Sequence, residues 1–196
     1  MKTVKVEFDT ELWIYVPEAW PWKNFANVDQ WATTLGELYV EATEASAEDG
    51  AVLAEKLRAI VAQRAPEESR FICMADPFNF LFHVNVLYVD SNKKMPLDDL
   101  VFADDPSVVR PVELEQVTSP HLADGVRALR YVEDEDGDVG LFAQYAFRAK
   151  GLDVILVAVS YETDNLLAAL PAIDTLARSI SVVRRGFLQR SLTQEI

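Results

Sequence analysis

A chain of 196 residues, half of them hydrophobic, is long enough to bury a core without a disulfide or a metal ion and too apolar for global disorder. The formal net charge of −14 disfavours a nucleic-acid partner, because phosphate groups would be repelled. We expect a single domain, residues 1–183, followed by a basic tail, residues 184–196. The N-terminus reaches acidic residues too early to hold a signal core, and no run approaches the roughly 20 apolar residues of a membrane span, so we expect a cytoplasmic, soluble protein.

Two short strands open the chain. Val4, Val6 and Phe8 alternate with polar residues, which is typical of a half-buried strand. The apolar run at residues 12–16 predicts a second strand, which ends at Pro17.

A helical hairpin is predicted at about residues 27–65. Asn27 with Gln30 three residues on, and Ser46 with Asp49, are typical of helix N-caps, because side chains there can pair with free backbone N–H groups. Apolar residues at helical spacing follow each cap, and a proline stops the second helix.

The clearest period-two pattern covers residues 78–89 and predicts a strand with one aromatic face and one mixed face. The mixed face carries Asn79, His83 and Asn85, which form the candidate pocket; His83 would be its general base, or else a histidine held by structural hydrogen bonds. Residues 90–111 predict a long surface loop with one helical turn near residues 97–102, and a further strand follows at 112–117.

An antiparallel meander is predicted from residue 126 onwards. Strands at 126–133, 139–148 and 154–159 are joined by tight turns at Gly137 and Gly151. The third strand is almost unbroken apolar sequence, so we expect it to be central and covered on both faces.

A C-terminal helix follows, with an N-cap at Thr163 or Asp164 and an apolar stripe that ends at Ile180. Pro171 lacks a backbone N–H, so it marks either a kink or the true first turn of this helix.

The sequence predicts no metal, no cofactor and no catalytic residue. Asp134, Asp136 and Asp138 open like a calcium loop, but Val139 and Tyr145 occupy the positions of its glycine and glutamate. Neither histidine has a partner at zinc-ligand spacing, and neither a phosphate loop nor a nucleophile motif is present.

Two candidate interaction elements remain. Trp20 and Trp22 flank a proline that keeps their loop extended, so we expect both to be partly exposed, and exposed aromatic side chains are favoured anchors at interfaces. Arg184, Arg185 and Arg190 make the tail cationic, so it can pair with another subunit or with the protein's own acidic surface.

A resemblance to a known superfamily rests on the two ends of the chain. The opening strands with Tyr15-Val-Pro-Glu-Ala-Trp20, and the strand and helix at residues 156–160 and 173–180, resemble the Mog1/PsbP-like superfamily. The resemblance implies an α/β/α sandwich that binds proteins or ligands, generally without catalysis, and it transfers no functional residue. The central helical hairpin departs from that pattern.

We therefore predict an α+β fold in which a central, mainly antiparallel sheet carries the C-terminal helix on one face and the helical hairpin on another. The leading function is a non-catalytic protein-interaction or accessory module that binds a protein partner or a second copy as a homodimer. The alternatives are a small-molecule-binding or hydrolytic protein with a pocket near His83, and an acidic inhibitor or immunity-type protein that binds a basic partner.

Overall fold

A computed structural model describes residues 2–43, 45–65 and 67–184 and shows a mixed α+β protein. Its elements follow in this order: β1 (Lys2–Val6), β2 (Trp13–Val16), α1 (Val28–Thr43), α2 (Ala47–Ala62), β3 (Ser69–Asp76), β4 (Phe80–Asp90), α3 (Leu97–Leu100), β5 (Glu113–Ser119), β6 (Ala123–Glu133), β7 (Val139–Ala149), β8 (Leu152–Ser160), α4 (Thr163–Ser179) and β9 (Ile180–Arg184). Among these residues, no helix combines the length and the apolar character that crossing a membrane requires.

Seven of the strands form one sheet in the order β2-β3-β4-β8-β7-β6-β5. The β2–β3, β4–β8, β8–β7, β7–β6 and β6–β5 pairs are antiparallel. β8 is the fourth strand of seven, so the predicted central position of the apolar strand is confirmed. β1 and β9 form a separate antiparallel pair, in which Lys2 lies opposite Arg184.

The chain divides into two compact units. The first unit comprises Met1–Asp9 and Val84–Ile196, of which residues 2–9 and 84–184 are described, and the second unit comprises Thr10–His83. The expectation of a single domain over residues 1–183 stays a prediction.

Both predicted helix caps of the second unit are present. The Asn27 side chain accepts from the backbone N–H of Gln30 at 2.9 Å. Ser46 and Asp49 form a reciprocal capping box, in which the Asp49 N–H donates to the serine hydroxyl at 3.1 Å and the Asp49 carboxylate accepts from the Ser46 N–H at 2.9 Å. These local bonds fix where α1 and α2 begin.

The two helices approach each other through glycines. A Cβ built on Gly36 would lie 2.4 Å from the carbonyl oxygen of Gly50, so only glycine permits this contact. The core beside it consists of Val16, Trp31, Ala32, Leu53, Ala54, Leu57, Ile72 and Met74.

A buried arginine of β3 caps the C-terminal end of α2, which has no basic residue in its own last turn. The Arg70 guanidinium donates to the carbonyls of Ile60 and Gln63 and pairs with Glu68, and both charged side chains are less than 7% exposed. A cation at this position complements the negative end of the helix dipole.

The meander of the first unit is built as predicted. Gly137 has φ +87°, and at the β7–β8 turn Lys150 has φ +51° and Gly151 φ +81°, the left-handed conformation that tight hairpin turns require. Tyr145 donates its hydroxyl to Asp174 of α4 at 2.6 Å. The adjacent residue, Gln144, donates its side-chain amide to the Leu100 carbonyl at 2.7 Å. Neighbouring residues of a strand point to opposite faces of the sheet. The helix α4 and the segment around α3 therefore contact opposite faces of β7.

Two expectations about β8 and α4 are corrected. The N-cap of α4 is Glu162 rather than Thr163 or Asp164, since the helical conformation already includes Thr163, and Pro171 lies inside the helix. Coverage of β8 on both faces is also wrong at its C-terminal end, where Val159 is 37% exposed although β8 is central.

Candidate interaction surface

The tryptophans of the predicted interaction loop pack against the core of the second unit and are half-buried. The Trp20 ring lies 6.1 Å from that of Trp31, and the Trp22 ring stacks at 6.2 Å on Phe25. Lys23 places its ammonium 4.8 Å from the Trp22 ring centroid. Only part of each tryptophan side chain is therefore open to a partner.

The three residues of the predicted pocket are not on one strand face. Asn79 lies in the turn before β4 and donates its amide to both carboxylate oxygens of Asp76, at 3.0 and 3.1 Å, because Asp76-Pro77 ends β3 and closes this turn. His83 and Asn85 are on β4 and half-buried, but they belong to different units. Burial, together with the charge of Arg70, lowers the pKa of His83 to about 4, so its imidazole is neutral at pH 7.

The predicted cationic tail is described only at its first residue. Arg184 is exposed and is the last residue of β9, whereas Arg185 and Arg190 lie outside the described residues.

A contiguous apolar surface lies instead at the C-terminal end of β8, within the first unit. Val159 lies directly opposite Phe142 of β7. A Cβ built on Gly140 would be 3.6 Å from the Tyr161 ring and 3.7 Å from the Phe142 ring, so both rings border this glycine. We call Phe102, Phe142, Val159 and Tyr161 the Tyr161 surface.

The buried guanidinium of Arg130 joins Phe102 to the other three residues of this surface. Arg130 lies opposite Phe142 in the β6–β7 register, and its guanidinium carbon is 5.0 Å from the Phe102 ring centroid and 5.1 Å from that of Phe142. The same guanidinium pairs with Asp105 and donates to Gln144 at 3.0 Å. Cation–π contacts and a buried ion pair thus fix both phenylalanine rings.

The exposed fractions of this surface are high for large apolar side chains. Tyr161 is 59% exposed, Phe102 57% and Val159 37%. Isolated exposed apolar residues are ordinary, but a contiguous group is typical of a binding site.

The β6–β7 turn gives this surface an acidic border. Five of the six residues 133–138 are acidic, and all six are exposed. The hydrogen bond between the Tyr161 hydroxyl and Asp134 raises the pKa of Tyr161 and lowers that of Asp134, and the charges of Asp138 and Asp136 raise the tyrosine pKa further. Tyr161 therefore lies in a field of negative charge.

The acidic turn is organised by the Asp134 carboxylate together with the backbone of the turn. One carboxylate oxygen of Asp134 accepts from the N–H groups of Asp136 and Asp138, at 3.0 Å each, and the Asp134 N–H donates to the Asp138 carbonyl at 2.9 Å. Within residues 2–43, 45–65 and 67–184, no group of three His, Cys, Asp or Glu side chains is arranged to hold a metal ion.

The sequence did not single out the Tyr161 surface, although one signal was present. Tyr161 interrupts the passage from an apolar strand to a helix and is followed directly by Glu162. A large aromatic residue between a strand end and an acidic helix start has little space in a core, which indicates an exposed ring.

Comparison with solved structures supports the fold. The crystal structure of LpqN, involved in cell envelope biogenesis of Mycobacterium tuberculosis, matches with a TM-score of 0.51 at 10% sequence identity and covers 94% of this chain and 85% of that chain. A structure from Bacteroides thetaiotaomicron VPI-5482 matches with a TM-score of 0.39 at 8% identity, over 63% of this chain and 41% of that one. The protein thus shares an α+β fold with LpqN. No protein-family model matches the sequence, and no curated protein is significantly similar to it.

Proposed function

We propose that the protein is a non-catalytic protein-interaction module whose partner binds at the Tyr161 surface. The observation that carries the proposal is the exposure of Val159 and Tyr161 beside Phe142 at the end of the central strand, with the exposed Phe102 joined to Phe142 through the Arg130 guanidinium. Exposed aromatic rings that bury on association are the side chains that contribute most to binding free energy at interfaces.

The ordered surroundings of the rings support this proposal. Arg130 is 7% exposed at its side chain and contacts both phenylalanine rings, while Asp105 and Gln144 hold the guanidinium in place. A surface that is already ordered loses little conformational entropy when a partner binds, which strengthens binding.

The fold type and the location belong to the same proposal. We take the fold to be an α/β/α sandwich of the Mog1/PsbP-like type, a family in which protein binding without catalysis is expected. A cytoplasmic location completes the proposal, and a location at the cell envelope is the alternative, since LpqN is involved in cell envelope biogenesis. Because sites and not folds carry function, neither point replaces a test of the surface.

Site-specific photo-crosslinking tests the proposal. A photoreactive phenylalanine analogue replaces Tyr161 in one variant and Leu38 of α1, which is 50% exposed, in the matched control. We expect the Tyr161 variant, in a lysate of the organism that produces the protein, to form a discrete protein adduct that the Leu38 variant does not form. Equal labelling from both positions, or none from Tyr161, would contradict the proposal.

The contacts expected from the sequence enter the same assay as further positions. The analogue at Trp20, at Trp22 or at Arg184 reports whether the tryptophan loop or the end of β9 also touches the partner. Adducts from these positions without any from Tyr161 would move the interface away from the Tyr161 surface.

A further inference from the structure

The charge around the Tyr161 surface defines the chemistry of its partner. Three carboxylates of the β6–β7 turn, those of Asp134, Asp136 and Asp138, act on Tyr161, and Glu162 and Asp164 at the start of α4 add two exposed acids. A segment that combines cationic and apolar side chains is complementary to this border and to the rings within it.

The chain itself contains such a segment. Residues 185–196, which lie outside the described residues and are called the C-terminal segment below, contain two arginines against one glutamate in a chain whose net charge is −14. Their apolar residues are Phe187, Leu188, Leu192 and Ile196.

The C-terminal segment starts near the first residues of β8, whereas the Tyr161 surface lies at the other end of that strand. Arg184 is opposite Lys2, whose ammonium donates to the Lys150 carbonyl, and Lys150 in turn donates to the Val182 carbonyl at 3.0 Å. Lys150 belongs to the β7–β8 turn, whereas the Tyr161 surface follows the last residue of β8. The nine residues of β8 separate the two by about 27 Å at 3.3–3.4 Å per residue.

The apolar residues nearest to Arg184 cannot cross that distance within one molecule. Phe187 is three residues beyond Arg184, and three extended residues span at most about 11 Å. Arg185 and Phe187 therefore cannot reach the Tyr161 surface of their own molecule, and even the Cα of Arg190, six residues beyond Arg184, spans at most about 22 Å.

We propose that the C-terminal segment of one copy binds the Tyr161 surface of a second copy, so that two copies exchange segments in a symmetric homodimer. This inference rests on the proposed function, since it requires the Tyr161 surface to be a partner-binding site. Reciprocal exchange about a twofold axis satisfies both surfaces and both segments, which closes the assembly at two molecules.

Solution mass over a range of concentrations tests the inference. We expect the full chain to approach twice the monomer mass, and a chain that ends at Arg184, with β9 complete, to stay monomeric. The double variant Val159→Thr, Tyr161→Ser keeps the segment but loses the surface, so it should also stay monomeric. Leu38→Ser, which changes a residue of α1 whose 50% exposure lies between those of Val159 and Tyr161, is the control and should dimerise as the full chain does.

A mixing experiment separates segment exchange from other forms of dimerisation. The truncated chain has an intact surface without a segment, and the Val159→Thr, Tyr161→Ser variant has a segment without an intact surface. Neither associates alone, but an equimolar mixture should form a heterodimer through one contact. Dimerisation of either variant alone, or a mixture that stays monomeric while the full chain dimerises, would overturn the inference.

The role of charge is tested in the same chain. Arg185→Gln with Arg190→Gln should weaken the dimer at least about tenfold and reduce its sensitivity to salt, because screening acts on the charge pairs. Arg178→Gln, at an exposed arginine of α4, is the matched control and should leave the dimer unchanged. Equal weakening by both changes would contradict recognition through the segment.

The failure of this inference is distinguishable from the failure of the proposed function. If the full chain is monomeric at every concentration while the Tyr161 photo-crosslink captures another protein, segment exchange is refuted and the binding surface stands. If the truncated chain still dimerises and Tyr161 labels nothing, both are refuted.

Discussion

Replacing Asp105 by asparagine should destabilise the protein far more than a loop substitution usually does. The Asp105 carboxylate pairs with Arg130, whose side chain is only 7% exposed, and Asp105 itself is 16% exposed. Asparagine keeps the shape and the acceptor for the Ser107 N–H and hydroxyl, at 2.9 and 2.6 Å, but removes the charge that compensates the buried guanidinium. Asp105→Asn therefore tests the contribution of the ion pair while it keeps the hydrogen bonds of the local turn.

The magnitude follows from burial. Removing one partner of a buried ion pair costs about 3–5 kcal/mol, because the remaining charge is left uncompensated. Gln144 and the two phenylalanine rings still stabilise Arg130, so we expect the low end, about 3 kcal/mol. With a urea slope of about 2 kcal/mol per M, the unfolding midpoint should fall by about 1.5 M.

A double-mutant cycle checks the cause. Arg130→Met removes the buried charge, so Asp105→Asn on that background should cost less than about 1 kcal/mol, and the two changes should be strongly non-additive. Unfolding is followed by tryptophan fluorescence and by circular dichroism in urea at pH 7. A loss below about 1 kcal/mol for Asp105→Asn alone, or additive losses in the cycle, would refute a stabilising role for this pair.

Three further predictions follow from packing and titration. Gly36→Ala should lower the free energy of unfolding by about 1–3 kcal/mol, measured by thermal unfolding, because the alanine Cβ would meet the Gly50 carbonyl oxygen at 2.4 Å. Gly140→Ala is the control and should be nearly neutral, since its Cβ would have its nearest neighbour at 3.6 Å. Equal losses would contradict the close approach of α1 and α2. His83 should have a pKa near 4 by NMR, whereas a histidine of the unfolded chain has a pKa near 6.5. Because the unfolded chain takes up the proton first, the free energy of unfolding should fall by about 3 kcal/mol as the pH drops from about 6.5 to 4. His83→Asn should flatten this dependence on pH, and an unchanged slope would refute the lowered pKa of His83. The Cys73 thiol, which is buried and whose pKa is raised by that burial, should react with a water-soluble thiol reagent only after unfolding, so rapid reaction of the folded chain would contradict its burial.

The parts of the fold that the sequence predicted correctly are set by local chemistry. The caps at Asn27 and Ser46 depend on residues three positions apart, and the turns at Gly137 and Gly151 depend on one glycine each. The central position of β8 follows from its unbroken apolar composition. In each case the signal and the structure it determines lie within a few residues of one another.

The errors arise where distant parts of the chain decide the outcome. Asn79 fits the period-two pattern of β4, but its bonds to Asp76 hold it in the preceding turn. The composition of β8 could not show whether a second layer covers Val159, because that depends on where the segment around α3 lies on the sheet. The candidate site was missed for the same reason, since Phe102 meets Phe142 only through Arg130.

The Tyr161 surface lies where an apolar central strand loses its cover on one face. An antiparallel sheet can leave one face in water, but the almost unbroken apolar sequence of β8 predicts cover on both faces. The segment around α3 contacts β7 through Gln144 and reaches as far as Arg130, yet leaves Val159 exposed. Arg130, held by its buried ion pair with Asp105, places its guanidinium carbon 5.0 Å from the Phe102 ring centroid, and Phe102 itself is 57% exposed. Exposing Phe102, Val159 and Tyr161 together adds nothing to stability, and a binding role for these side chains accounts for it.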